Sequence, residues 1–164
     1  MKYYRAIPTY EGKSVTFIPK GYYEAFDDDG CPLFHTGDIM LKSNKAETSA
    51  SKIIGGAVLG AWSMFTHIGA KERVVYLYEI TDKPYKDLSN VRMDDFPYLK
   101  EVRYDVEVVG KYIGKFIYDD TFSDDAENFY NRMSEDYEVF ESVDVDKWEE
   151  FEKSIETMNI NQLV

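Results

Sequence analysis

A chain of 164 residues, 44% hydrophobic and 16% aromatic, has the material for one domain with a sizeable core, which excludes wholesale disorder and collagen-like composition. Its formal net charge of −12 argues against direct nucleic-acid binding through a phosphate-neutralising face, which needs clustered Lys and Arg, and disfavours an anionic membrane surface. No apolar run approaches the ~18 residues of a membrane span, the opening Met1-Lys2-Tyr3-Tyr4-Arg5 lacks a secretory layout, and one cysteine cannot form an internal disulfide, so a reducing cytoplasm is the expected compartment.

Tyr3-Tyr4-Arg5-Ala6-Ile7 reads as a strand stopped by Pro8, because proline brings no amide donor to a ladder. Val15-Thr16-Phe17-Ile18 is a second strand candidate, stopped by Pro19. Asp27-Asp28-Asp29-Gly30 lies between apolar segments and predicts a hairpin turn; the alternation and distal Glu of a calcium loop are missing. A helix is expected from about Thr48-Ser49, with either hydroxyl as cap. Ile54, Val58, Ala61, Trp62 and Phe65 then share one helical face. Gly55, Gly56 and Gly60 in that stretch cost about 1 kcal/mol each against alanine, which a close backbone approach would rationalise. Gly69 is the expected end of the region.

Val74 to Ile80 is β-branched and aromatic, a strand buried on both faces. Glu101 to Val109 alternates, with Val102, Tyr104, Val106 and Val108 inward and Glu101, Arg103, Asp105 and Glu107 outward, predicting one half-exposed strand; Lys111 to Tyr118 continues after Gly110. The remainder is acidic. Residues 1–118 carry sixteen Lys and Arg against sixteen Asp and Glu, whereas residues 119–164 carry three against fifteen. Ala126, Phe129, Tyr130, Met133, Tyr137 and Phe140 nevertheless recur at helical spacing behind Ser123-Asp124-Asp125, and Trp148, Phe151, Ile155 and Met158 do so again. The expectation is an α+β fold: a small mixed or antiparallel β core with one main helix over residues 1–118, and a pair of acidic amphipathic helices over 119–164 packed on it.

Familiar chemical signatures are missing. There is no Walker A, Gly-x-Gly-x-x-Gly, His-Glu-x-x-His or Gly-x-Ser-x-Gly sequence. His35 and His67 are too few for a histidine-rich metal centre, and no metal is expected. Cys31 and His35 have no identified orienting partner, so Cys31 reads as a small core residue. What remains is dispersed: Arg5, Ser49, Ser51 and Glu101.

On Tyr4-Arg5-Ala6, Thr48-Ser49-Ala50-Ser51 and Lys100-Glu101-Val102 the chain resembles the Arg-Ser-Glu branch of the ADP-ribosyltransferase superfamily, over about residues 3–117. That family carries an arginine on its first core strand, a Ser-Thr-Ser-like element before a helix and a catalytic glutamate near a late strand. The resemblance implies that Glu101 stabilises positive charge developing as NAD splits at its nicotinamide–ribose bond. It also implies that Ser49 orients the glutamate or the ribose, and that Arg5 and Ser51 bind NAD. The middle motif departs as Ser-Ala-Ser, and Leu99 stands where a second acid or glutamine is frequent. Asp95-Phe96-Pro97 and Val108-Val109-Gly110 resemble a rifamycin-modifying branch instead, in which Asp94 or Asp95 replaces Glu101 as the acid. The alternative reading is a non-catalytic interaction protein, an acidic inhibitor of the kind many phages use. In it residues 119–164 imitate nucleic acid and cover a basic protein partner.

Overall fold

Proline sets the first two strands. Tyr3–Ile7 forms β1 ahead of Pro8, and Ser14–Phe17 forms β2 ahead of Pro19. The computed structural model describes residues 1–8, 11–19, 46–66, 73–92, 95–133 and 144–164. The Asp27–Gly30 turn, Cys31, His35, His67, Gly69, Asp94, Tyr137 and Phe140 lie outside the described residues. Then follow β3 (Thr48–Ser51), α1 (Ile54–Thr66), β4 (Val74–Ile80), β5 (Lys86–Asp87), α2 (Phe96–Leu99), β6 (Glu101–Tyr104), β7 (Val108–Ile117), α3 (Asp120–Met133), α4 (Val145–Thr157) and a 3-10 turn at Ile160–Gln162. The molecule is α+β, with one antiparallel sheet of seven described strands in the order β2-β7-β4-β1-β3-β6-β5.

Two sequence expectations are corrected. Thr48 to Ser51 is a strand, not the first turn of the helix. These short side chains pair with Glu101–Tyr104, and the Ser51 hydroxyl then accepts from the Ile53 amide at 3.0 Å, so α1 begins only at Ile54. The strand expected from Glu101 to Val109 is broken. β6 stops at Tyr104, Asp105 and Val106 bend away, and β7 starts afresh at Val108, leaving Val106 61% exposed instead of inward. β7 then runs on through Gly110 and is bulged where the Leu77–Gly114 and Tyr78–Tyr112 pairs leave Ile113 over. Gly114 has φ 145° there, a conformation that L side chains rarely adopt.

The sheet buries apolar residues on both sides. One side carries Ala6, Val75 and Leu77 against Val58, Leu59 and Trp62 of α1. The other gathers Tyr3, Phe17, Tyr78, Val102, Tyr104 and Val108. The acidic helices belong to the first of these layers, since Ala126 and Phe129 of α3 and Phe151 and Ile155 of α4 are buried with α1. Phe129, 1% exposed, contributes about 3 kcal/mol by burial alone. α3 starts at Asp120, three residues before the expected Ser123-Asp124-Asp125 opening, because the Asp119 carboxylate accepts from the Phe122 amide at 2.7 Å. Asp144 caps α4 through the Lys147 amide, and the Asn128 side chain clamps Asp144's backbone from α3.

Two of the three glycines of α1 have a packing reason, and Gly60 does not, since a Cβ there would meet only Leu99 at 3.5 Å. A Cβ on Gly55 would overlap the Ile155 carbonyl, and one on Gly56 would overlap the Leu99 carbonyl and the Ser51 hydroxyl. The close neighbour is therefore protein backbone. No helix of the described residues is long and apolar enough to cross a membrane.

Candidate functional site

β1 and β4 zip together through five residue pairs, from Tyr3–Ile80 to Ile7–Tyr76. On its other side β1 meets β3 through a single described pair, Tyr4 with Ser51, and Ser51 in turn pairs with Glu101 of β6. The row Tyr4–Ser51–Glu101 therefore crosses three adjacent strands. Beside it, where the β1–β3 ladder is not continued, lie Arg5 and the buried charged pair Glu101 and Arg103.

Arg5 reaches across this seam. Its Nη1 donates to the Ser49 carbonyl oxygen at 2.5 Å, and its guanidinium lies 5.3 Å from the centre of the Phe17 ring. Its buried Nε has no hydrogen-bond partner among the described residues. Burial pulls the guanidinium down from 12.5 to about 10; the charge of Glu101 opposes that shift and the like charge of Arg103 adds to it. At neutral pH Arg5 remains a cation, as guanidinium groups do.

Glu101 and Arg103 are each 8% exposed, which corrects their expected place on a solvated strand face. Residues two apart on a strand share a face, and Arg103 Nε donates to Glu101 Oε1 at 3.0 Å. The Ser49 hydroxyl also binds the Glu101 carboxylate. Burial pushes Glu101 above the ordinary 4.5; Arg103 and Ser49 work against that shift, and the nearby charge of Asp95 adds to it.

Ser49 and Glu101 thus meet side chain to side chain, whereas Arg5 points to the Phe17 face of the sheet and joins them through the Ser49 carbonyl and the charge of Glu101. Ser51 stands in the same row, but its hydroxyl is engaged by the protein. It donates to the Leu99 carbonyl at 2.5 Å and accepts from the Ile53 amide, tying β3 to the α2–β6 corner. That corner is sharp: Lys100 adopts φ 50°, returning its amide to Phe96, and so delivers Glu101 into the strand.

Asp95 opens α2, and its Oδ2 accepts from the Tyr130 hydroxyl of α3 at 2.9 Å. Arg103 and Tyr130 were not singled out from the sequence. The two-residue spacing of Glu101 and Arg103 carried a signal for the first, whereas Tyr130 is hidden inside an apolar helical stripe. A groove of about 380 Å³ borders the row at Tyr4, with Lys2, Lys52, Ile53, Glu79 and Ile113 among its walls; Arg5, Ser49 and Glu101 do not line it. Lys52 is held by Asp87 and donates to Ser89 Oγ at 2.9 Å, a polar knot at the β5 side. No group of three His, Cys, Asp or Glu able to hold a metal ion occurs among the described residues.

The arrangement offers a fixed carboxylate, a hydroxyl that binds it, and a cation whose buried Nε has no partner among the described residues. Comparison with family models, with curated proteins and with solved structures finds no match to this chain.

Proposed function

We propose that the chain is an NAD-dependent ADP-ribosyltransferase-like protein, transferring ADP-ribose to an acceptor nucleophile. One observation carries this reading. Arg5 and Glu101, 96 positions apart in sequence, are linked through Ser49 across three neighbouring strands, Arg5 to its carbonyl and Glu101 to its hydroxyl. A second supports it: the buried Nε of Arg5, without a partner among the described residues, is a donor of the kind that binds an anionic ligand such as the diphosphate of NAD.

When bound, NAD supplies a nicotinamide–ribose bond whose cleavage builds positive charge on the ribose as nicotinamide leaves with the bonding pair. Glu101, ionised, supplies a fixed negative charge for that moment, and such an interaction is stronger in the transition state than in the ground state. Ser49 and Arg103 hold the carboxylate in one orientation, so little reorganisation is needed. Arg5 binds the diphosphate. Asp95 is the second carboxylate of the site and the alternative acid.

Thermal unfolding with NAD tests the reading. NAD raises the melting temperature of the wild type and leaves Arg5→Gln unmoved, while Glu101→Gln binds NAD but releases nicotinamide about 100-fold more slowly. A wild-type melting temperature indifferent to NAD contradicts it.

A second reading is favoured by the exposure of Asp124, Glu127, Glu149, Glu150 and Glu156 on the two helices whose apolar sides are buried. This acidic face suits a basic protein partner. Because the helices contribute to the core, charge reversal at Glu149 and Glu150, not deletion, is the test. A salt-sensitive complex that survives the reversal contradicts this reading.

A further inference from the structure

The aspartate at the entry to a helix ordinarily turns its carboxylate onto the free amides of the first turn. Asp95 does not. Its backbone carbonyl takes the Tyr98 and Leu99 amides, at 3.0 and 2.9 Å, and its side chain makes no capping bond. The carboxylate turns instead to Tyr130, whose hydroxyl is 2.9 Å from Oδ2.

Tyr130 is well placed to hold it. Its ring stacks on Trp62 of α1, with centroids 5.8 Å and planes 14° apart, and meets Phe129 edge-on at 5.6 Å. The Ser63 hydroxyl bonds the phenol oxygen from behind, and burial, reinforced by the charge of Asp95, holds the phenol far above its usual range. The phenol is therefore a protonated donor at all ordinary pH. The groups that act on Asp95 include the Tyr130 hydroxyl from α3, itself bonded by Ser63 of α1, and the charge of Glu101 from β6, whose own partner Arg103 lies 5.8 Å from the Phe96 ring centre.

We infer that Tyr130 is a positioning residue, which holds the Asp95 carboxylate beside Glu101 and so makes the acidic helix α3 one wall of the site. Its bearing on catalysis rests on the NAD reading; the placement of the carboxylate does not. The acidic region then does more than carry charge outward, since its inner side reaches the two acids that the chemistry would use.

Carboxyl carbon NMR titration of the full chain, labelled at Asp and Glu, tests this in wild type and Tyr130→Phe, which keeps the ring and loses only the hydroxyl. Removing a donor from a carboxylate favours its neutral form, so the Asp95 midpoint rises by about one pH unit in Tyr130→Phe. Asp95→Asn removes a like charge and lowers the Glu101 midpoint. An Asp95 midpoint unchanged by Tyr130→Phe, or a Glu101 midpoint unchanged by Asp95→Asn, overturns the inference. An NAD titration separates the two claims. Wild type that ignores NAD while the midpoints move as stated ends the transferase reading and upholds Tyr130's placement of Asp95. Where the wild type does bind NAD, Tyr130→Phe weakens it about fivefold, and unchanged affinity overturns the positioning role.

Discussion

The layer beneath the acidic helices and the seam between β1, β3 and β6 are built on opposite principles. In the layer, Phe129, Phe151 and Ile155 are buried with Val58 and Leu59, and its polar contacts include single donors from Tyr118 to the Val58 carbonyl, Trp62 to Ser123 and Tyr130 to Asp95. In the seam, Glu101 and Arg103 are buried as an ion pair and the half-buried Arg5 feels both charges, where a single described residue pair joins β1 to β3. Burying charges costs more than burying phenyl rings, and a buried ion pair is weak evidence of stabilisation. The difference teaches that the layer holds the fold while the seam is where the fold tolerates expense, as expected at a functional site.

Substitutions can break or sharpen that contrast. Phe129→Ala empties a site deep in the layer and lowers unfolding free energy by about 4 kcal/mol in chemical denaturation. A loss under about 1 kcal/mol would mean that α3 is peripheral. Arg103→Met removes one partner of a buried pair and destabilises by about 3 kcal/mol. It also raises the Glu101 midpoint further, since that cation works against the shift. Gly55→Ala drives a methyl into the Ile155 carbonyl and costs about 2 kcal/mol without altering any pH dependence. Ser49→Ala costs only about 1 kcal/mol in stability, yet it frees the Glu101 carboxylate and lowers nicotinamide release by more than its effect on folding.

The sign of the pH effect follows from Glu101. Its folded value is raised, so the neutral carboxyl favours the folded chain below the ordinary 4.5, and that contribution is lost as pH rises through the folded value. Stability curves of wild type and Glu101→Gln should therefore diverge in favour of the glutamine variant as pH rises from about 4 towards neutrality. On the proposed NAD reading, in which ionised Glu101 acts, nicotinamide release should show an acid limb centred above 4.5.

How much was legible in the sequence follows the same division. Apolar periodicity and proline placed β1, β2, β4, α1 and both acidic helices, because in those segments one buried stripe decides the structure. Thr48-Ser49-Ala50-Ser51 misled: serines read locally as caps, and only pairing with β6 makes them a strand. Glu101 and Arg103 misled in another way. Alternation assigned them to solvent, but the sheet has α1 and the α2 corner on that side, so both faces of β6 are buried. The Val106 bend was invisible for want of any Gly or Pro to mark it. Arg5, Ser49 and Glu101 could be named from the resemblance, but their meeting depends on long-range strand order. Tyr130 could not be named at all, since one hydroxyl within an aromatic stripe leaves periodicity unchanged.

The central claim is that Arg5 keeps a donor in reserve for an anionic ligand, and nitrogen-15 NMR of the arginine Nε–H groups during an NAD titration tests it most directly. The account predicts that one resonance, absent in Arg5→Lys, shifts saturably with NAD while those of exposed arginines such as Arg73 stay in place. If the Arg5 resonance is identified and does not move at millimolar NAD, the seam is a structural charge cluster and the NAD reading is contradicted.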